Sequence, residues 1–208
     1  MAIPADRLER ERYYSFEDWL DMDESVRAEL IDGRLYMMAP PSRWHQYAAG
    51  AIYRQLGNFL EGKRCEVYFS PFGVRLFANK DTVFEPDIIM VCDPSKLNDR
   101  GCDGAPDLIV EILSPSTAGH DKFKKFYQYL QAGVREYWLV DPEYKTVTVH
   151  TLSEENGSRY VTDEYFYPDV TAVPVGVLPG CGIELKKVFQ PPVSGTQTGE
   201  QPSGTNLD

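Results

Sequence analysis

Two aliphatic runs constrain this chain more than anything else in it: Ile88-Ile89-Met90-Val91, and Leu108-Ile109-Val110-Glu111-Ile112-Leu113. Each carries a carboxylate at its edge or inside it. Glu85-Pro86-Asp87 leads into the first run, Asp107 precedes the second, and Glu111 interrupts it. Runs of this composition form strands buried on both faces. A lone ionised carboxylate is costly in such a place. Two on neighbouring strands, with a lysine-rich helix close behind, point to a divalent-metal site.

The chain has 208 residues, which suits one domain with tails and is long enough to bury a proper core. Residues 1–12 read as a polar, mobile lead-in, 13–189 as the folded domain, and 190–208 as a disordered tail rich in Pro, Gly, Ser, Thr and Gln. Hydrophobic content of 42% and aromatic content of 12% fit an ordinary soluble protein. No apolar stretch approaches the roughly 20 residues needed to cross a bilayer. Met1 to Arg12 lacks the apolar centre of a secretory signal. The expectation is a cytoplasmic protein with no membrane partner.

Cys65, Cys92, Cys102 and Cys181 are scattered, with no Cys-x-x-Cys pair. That spacing argues against zinc and leaves buried free thiols as the expectation. A net charge of -11 argues against a simple nucleic-acid binder, whose basic footprint should dominate. It does not exclude one, because a local basic strip can sit on an acidic protein and a metal would neutralise some of the acidity.

Ser15 with Asp18 predicts a capped short helix. Glu29 to Met38 reads as a hairpin, with Asp32-Gly33 supplying the positive φ angles of a type I′ turn. Pro40-Pro41 ends its second strand. Ser42 then caps a long amphipathic helix with Trp44, Tyr47, Ala48, Ala51, Ile52, Leu56, Phe59 and Leu60 on its apolar side. Strands are expected at Glu66 to Phe69 and Gly73 to Phe77, followed by the two aliphatic runs, with a polar loop from Asp93 to Ala105 between them. A helix from about Gly119 to Gln131 places Phe123, Phe126, Tyr127 and Leu130 on its apolar face, and Gly133 ends it. Glu136 to Val140 and Thr146 to Thr151 form a hairpin. Shorter strands follow near Tyr160 and Glu164 to Tyr167, and a last apolar piece is Ile183 to Phe189. This order predicts an α/β protein with a mixed sheet flanked by helices.

Phosphodiester hydrolysis needs a metal on the phosphoryl oxygen and the attacking water, carboxylates to hold it, and a cation to orient the water or offset growing charge. Mg²⁺ takes oxygen ligands and usually one or two protein carboxylates. Asp87 and Glu111 are the candidate ligands, and the carbonyl of Ile112 a third oxygen. The cation comes from Asp121-Lys122-Phe123-Lys124-Lys125. Lys125 lies at the edge of the buried face, where its stem can follow apolar surface to the metal, with Tyr129 four residues on beside it.

At these residues the chain resembles a known family. Glu29-Leu30-Ile31-Asp32-Gly33, Ser42 to His45-Gln46, Pro86-Asp87, Gly104-Ala105-Pro106-Asp107-Leu108, Glu111 to Thr117 and Ala132-Gly133-Val134-Arg135-Glu136-Tyr137-Trp138 appear in the order seen in Uma-two-type restriction endonucleases of the PD-(D/E)XK nuclease superfamily. The resemblance spans about Tyr13 to Phe189. It implies a restriction-endonuclease-like core and Mg²⁺-dependent cleavage, with Mn²⁺ as a substitute. Asp87 matches the aspartate of the PD motif, Glu111 the acid of the second half-motif, and Glu29 the upstream acid. The superfamily lysine belongs two positions after that acid, where this chain has Leu113. Lys125 on the following helix is the matching position, with Lys122 and Lys124 as alternatives.

Each residue also has a plainer reading. Asp87 could cap a turn, Glu111 could pair with a cation, and Glu29 could do so at the hairpin start. Asp107 reads as loop-end structure, and Tyr137 and Trp138 as sheet core. His45 caps or packs near its helix start, with phosphate contact as the alternative. Ser114 and Ser116 with His120 lack a nucleophile elbow. The leading expectation is a Mg²⁺-dependent nuclease acting on nucleic acid, with DNA as the expected substrate and a homodimer expected by analogy. Its rivals are an inert nucleic-acid- or protein-binding module on the same fold and a metal-dependent hydrolase of a small phosphorylated substrate.

Overall fold

The computed structural model describes residues 3, 12–23, 25–114, 121–153, 155 and 159–190, with the backbone only for 121–124. In chain order the elements are α1 (Phe16–Leu20), β1 (Ala28–Ile31), β2 (Arg34–Met37), α2 (Arg43–Leu60), β3 (Glu66–Phe69), β4 (Gly73–Arg75), β5 (Ile88–Val91), β6 (Leu97–Asn98), β7 (Gly101–Asp103), β8 (Leu108–Ile112), α3 (Asp121–Ala132), β9 (Glu136–Asp141), β10 (Thr146–Ser153), β11 (Arg159–Phe166), β12 (Ala172–Pro174), β13 (Gly182–Glu184) and α4 (Leu185–Phe189).

The central sheet has six strands in the order β11-β10-β9-β8-β5-β3. Its one parallel pair is β8 with β9, and the other neighbours run antiparallel. A parallel pair needs a crossover, and α3 lies in it. The two aliphatic runs are β5 and β8, paired with Ile88 opposite Val110 and Ile89 opposite Ile109. Both are interior strands. Strand alternation divides their side chains between two cores. Ile88, Met90, Leu108 and Val110 pack with Ala48, Ala51, Ile52 and Leu56 of α2. Ile89, Val91 and Ile109 face the opposite way, toward Phe84, Tyr129 and Tyr137. Glu111 has the parity of Ile109, so it points at the α3 side.

The β1–β2 hairpin turns at Asp32 and Gly33, with φ of 50° and 75°, the type I′ geometry expected. It attaches to the rest through a bridge between Leu30 and Val83. Ser15 and Asp18 cap each other's backbone reciprocally, and Ser42 Oγ accepts from the His45 N–H at the start of α2.

Several expectations need correction. Trp44 and Tyr127 are 53% and 59% exposed, whereas Tyr129 is fully buried. Positions 127 and 129 differ by about 200° around a helix, and the face holding Phe126 and Tyr129 is the one that meets the sheet. The segment Asp93 to Ala105 is a 3-10 turn at Pro94–Lys96 followed by β6 and β7, because β7 finds a parallel partner in β4. The two short strands expected near Tyr160 and Glu164 are one strand, β11, paired along its length with β10. The last apolar piece splits into β13 and α4.

Cys65 and Cys92 form a disulfide instead of remaining free thiols. They sit one rung beyond the Glu66–Val91 pair of β3 and β5, a juxtaposition that chain spacing does not reveal. Cys102 and Cys181 are free and buried. Ile3 is bonded to Asp21 and Asp23, so this point of the lead-in is tied down. The rest of the lead-in up to residue 11, the tail from 191, Gly119, where the helix is expected to begin, Ser116, His120 and the side chain of Phe123 lie outside what is described. No described helix is long and apolar enough to cross a membrane.

Candidate active site

Four elements converge on one end of the β5–β8 pair. The hairpin contributes Glu29 from β1, the entry to β5 contributes Asp87, β8 contributes Glu111, and α3 contributes Lys125. The Lys125 Nζ donates to Glu29 Oε1 at 2.8 Å and to Glu111 Oε1 at 3.0 Å. Tyr129, one helical turn on, donates its hydroxyl to Glu111 Oε1 at 3.0 Å. The Glu85 N–H donates to Glu29 Oε1 at 3.0 Å. Glu29 and Glu111, from two different elements, are therefore joined by one ammonium.

Asp87 stands one step beyond the Ile88–Val110 pair, across from Glu111. Its Oδ2 accepts the Ile112 N–H at 2.7 Å and lies 3.1 Å from His45 Nε2. His45 thus reaches the site from the first turn of α2, beyond the capping and packing reading of the sequence. The side chains of Lys122 and Lys124 lie outside the described ones. Arg27 was missed in the sequence. It donates to Ser70 Oγ at 2.7 Å and pairs with Glu85 Oε2 at 3.4 Å. Its position two residues before Glu29, just ahead of β1, was the available signal, since alternate residues of an extended chain share a face. Arg27, Glu29, His45, Ser70, Asp87, Glu111, Ile112 and Lys125 line one cleft of about 600 Å³.

Burial and neighbouring charges together shift the titration of these groups. It pushes the Glu111 carboxyl up to about 7; Lys125 pulls the other way, and Asp87 and Glu29 add to the rise. Burial alone would make Lys125 easier to deprotonate, but Glu111 and Glu29 outweigh it and hold the ammonium above its ordinary value. His45 is likewise raised: burial opposes its charge, while Asp87, Glu111 and the Ile112 backbone favour it. Glu85 is raised by burial despite Arg27.

Asp87, Glu111 and the Ile112 carbonyl are all hard oxygen donors. Glu111 Oε2 and Asp87 Oδ1 take no part in the bonds above, so each acid keeps an oxygen outside them. Among the described residues no group of three or more His, Cys, Asp or Glu could hold a metal. A zinc-type cage would need such a group, whereas Mg²⁺ binds through one or two carboxylates together with substrate phosphates and water. The residues fit that sparser site.

The Uma2 family model, described as "Putative restriction endonuclease", matches residues 11–186, a span that contains every group named above. The chain belongs to the Uma2 family. Two Synechocystis proteins are similar to this Uma2 chain. The uncharacterized protein slr1290 is 29% identical over 139 residues, 67% of this chain and 70% of its own length. The uncharacterized protein sll1609 is 28% identical over 129 residues, 60% of this chain and 72% of its own. Among solved structures, the crystal structure of "a putative nuclease belonging to DUF820" from Anabaena variabilis matches with a TM-score of 0.68 and 21% identity, over 84% of this chain and 97% of that one. That likeness shows a shared fold and bears out the restriction-endonuclease-like mixed sheet.

Proposed function

We propose that this Uma2 protein is a Mg²⁺-dependent endonuclease that hydrolyses phosphodiester bonds of nucleic acid, with DNA as the substrate and Mn²⁺ able to replace Mg²⁺. One observation carries the reading: a single ammonium, Lys125, is shared by Glu29 and Glu111 across the strand pair from Asp87. Asp87, Glu111 and the Ile112 carbonyl would hold the metal. When bound, Mg²⁺ polarises the phosphoryl oxygen and lowers the pKa of a water.

The chain's own groups supply the rest. Lys125 holds its proton against two acids. A retained proton suits it to orient the water and offset phosphorane charge, and leaves it unsuited to deprotonate the water. Glu29 fixes the ammonium from the hairpin side. Tyr129 and the Ile112 N–H orient Glu111 and Asp87 through hydrogen bonds. A homodimer belongs with this reading by analogy to nucleases that cut both strands.

Purified protein is incubated with DNA and with RNA in Mg²⁺, Mn²⁺ or chelator. Cleavage should require the metal and should fall roughly a hundredfold or more in Asp87→Ala. Equal cleavage by the wild type and Asp87→Ala would discredit the assignment.

A second reading is a catalytically inert nucleic-acid- or protein-binding module. It is favoured by the net charge of -11 and by the mutual bonding of Glu29, Glu111, Lys125 and Tyr129. It predicts no metal affinity. Calorimetric Mg²⁺ or Mn²⁺ binding that disappears in Glu111→Ala excludes it.

A further inference from the structure

The register of the β1–β2 hairpin sets Tyr36 directly opposite Glu29. Cross-strand partners share a face, so the Tyr36 ring stands on the cleft wall beside that acid. Arg27 and Met38 flank the pair on the same wall, with Arg27 Nη2 3.9 Å from Met38 Sδ. Tyr36 is 37% exposed and Met37 61%, and Pro40 and Pro41 extend the apolar lip.

Behind this lip the polar groups are recessed. The side chains of Glu29, His45, Asp87, Glu111 and Lys125 are each no more than 14% exposed. A duplex carries its phosphates on a stiff cylinder with the bases turned inward, and it gains nothing from an apolar lip. An unpaired strand can turn a base outward onto a ring and carry its phosphate inward, and such stacking is the usual anchor of single-strand binding.

Charge points the same way. Among the described residues, the basic groups lining the cleft, Arg27, His45 and Lys125, each already face a carboxylate, and the chain's net charge is -11. Duplex affinity rests on neutralising many phosphates, and these groups leave little for that.

We propose that the cleft accepts an unpaired DNA strand, with Tyr36 as the platform on which a base next to the scissile phosphate stacks. The choice of DNA as occupant and the position of that phosphate rest on the nuclease reading.

The test is fluorescence anisotropy of the full chain with a labelled oligothymidylate of about 12 nucleotides and with a duplex of equal length. Ca²⁺ replaces Mg²⁺ to hold back cleavage. The single strand should bind about tenfold or more tightly than the duplex, with a shallow salt dependence. Tyr36→Ala should weaken it about tenfold, the equivalent of one lost stack, and Tyr36→Phe should retain it. Tyr36→Leu keeps apolar bulk without a ring and should behave as the alanine variant, which keeps the test open if that variant folds poorly.

Equal or tighter duplex binding, an unaffected Tyr36→Ala, or no binding of either DNA overturns the proposal. So does a dimer, seen by light scattering, that buries Tyr36 in place of a nucleotide. Repeating the assay in Mg²⁺ separates the two readings. Cleavage of duplex alone leaves the nuclease reading standing and removes this one. A single strand that binds through Tyr36 and is never cut does the reverse.

Discussion

Lys125 holds two acids from two different elements, so its removal should act on chemistry and on stability together. Lys125→Met leaves Glu29 and Glu111 without their shared cation. Breaking a buried pair costs roughly 3–5 kcal/mol. The loss here should fall at the low end, because Glu111 already titrates near 7 and can take up a proton. Cleavage should drop roughly a hundredfold or more, and denaturant unfolding should report the stability loss. Activity retained in Lys125→Met would move the catalytic cation elsewhere. Glu111 also makes a prediction of its own. Its folded pKa, about 7, lies above the usual value of 4.5, so the folded state binds that proton more tightly than the unfolded chain does. Its contribution to stability is greatest below the usual value and declines as pH rises through about 7. Thermal unfolding followed between those limits should show wild type losing stability relative to Glu111→Gln. Metal binding favours the ionised carboxylate, so Mg²⁺ affinity should rise over the same range.

The hairpin is the element on which the site depends most locally, since its turn places Glu29 against α3. Gly33 has φ +75°, and a Cβ there would lie 2.1 Å from the Tyr13 ring. That ring is exposed and can move away, but the backbone conformation cannot be relieved. Gly33→Ala should cost about 1–2 kcal/mol in chemical denaturation and weaken activity beyond what that loss explains, by shifting Glu29. An unchanged midpoint and rate would show that the turn tolerates a side chain. The hairpin was legible because Asp-Gly between aliphatic segments is a local signal. The face of α3 was not. Lys125, Phe126 and Tyr129 lie inward while Tyr127 lies outward, yet aromatics recur all round that helix, so periodicity alone could not choose the buried side.

For the whole molecule, the proposed metal site makes divalent cations an expected stabilising ligand. A ligand that binds only the folded state stabilises it according to its concentration over Kd. Mg²⁺ at about ten times its Kd should raise Tm by roughly 3–6 °C for a chain of this size. The rise should vanish in Glu111→Ala. A shift that persists in that variant would mean general screening of the net charge of -11 and no site.

Local pattern by itself determined the two buried runs, the capped helices, the tight turn and which acids cannot be ordinary surface groups. Those properties follow from nearest neighbours: residue volume, period and backbone preference. Tertiary pairing alone decided the rest. The β5–β8 register put Asp87 across from Glu111, the fold of α2 against the sheet brought His45 to Asp87, the antiparallel ladder joined Cys65 to Cys92, and the hairpin register set Tyr36 beside Glu29. Each is a contact between distant segments whose distance is fixed by strand register and layer packing, and chain spacing carries no record of either.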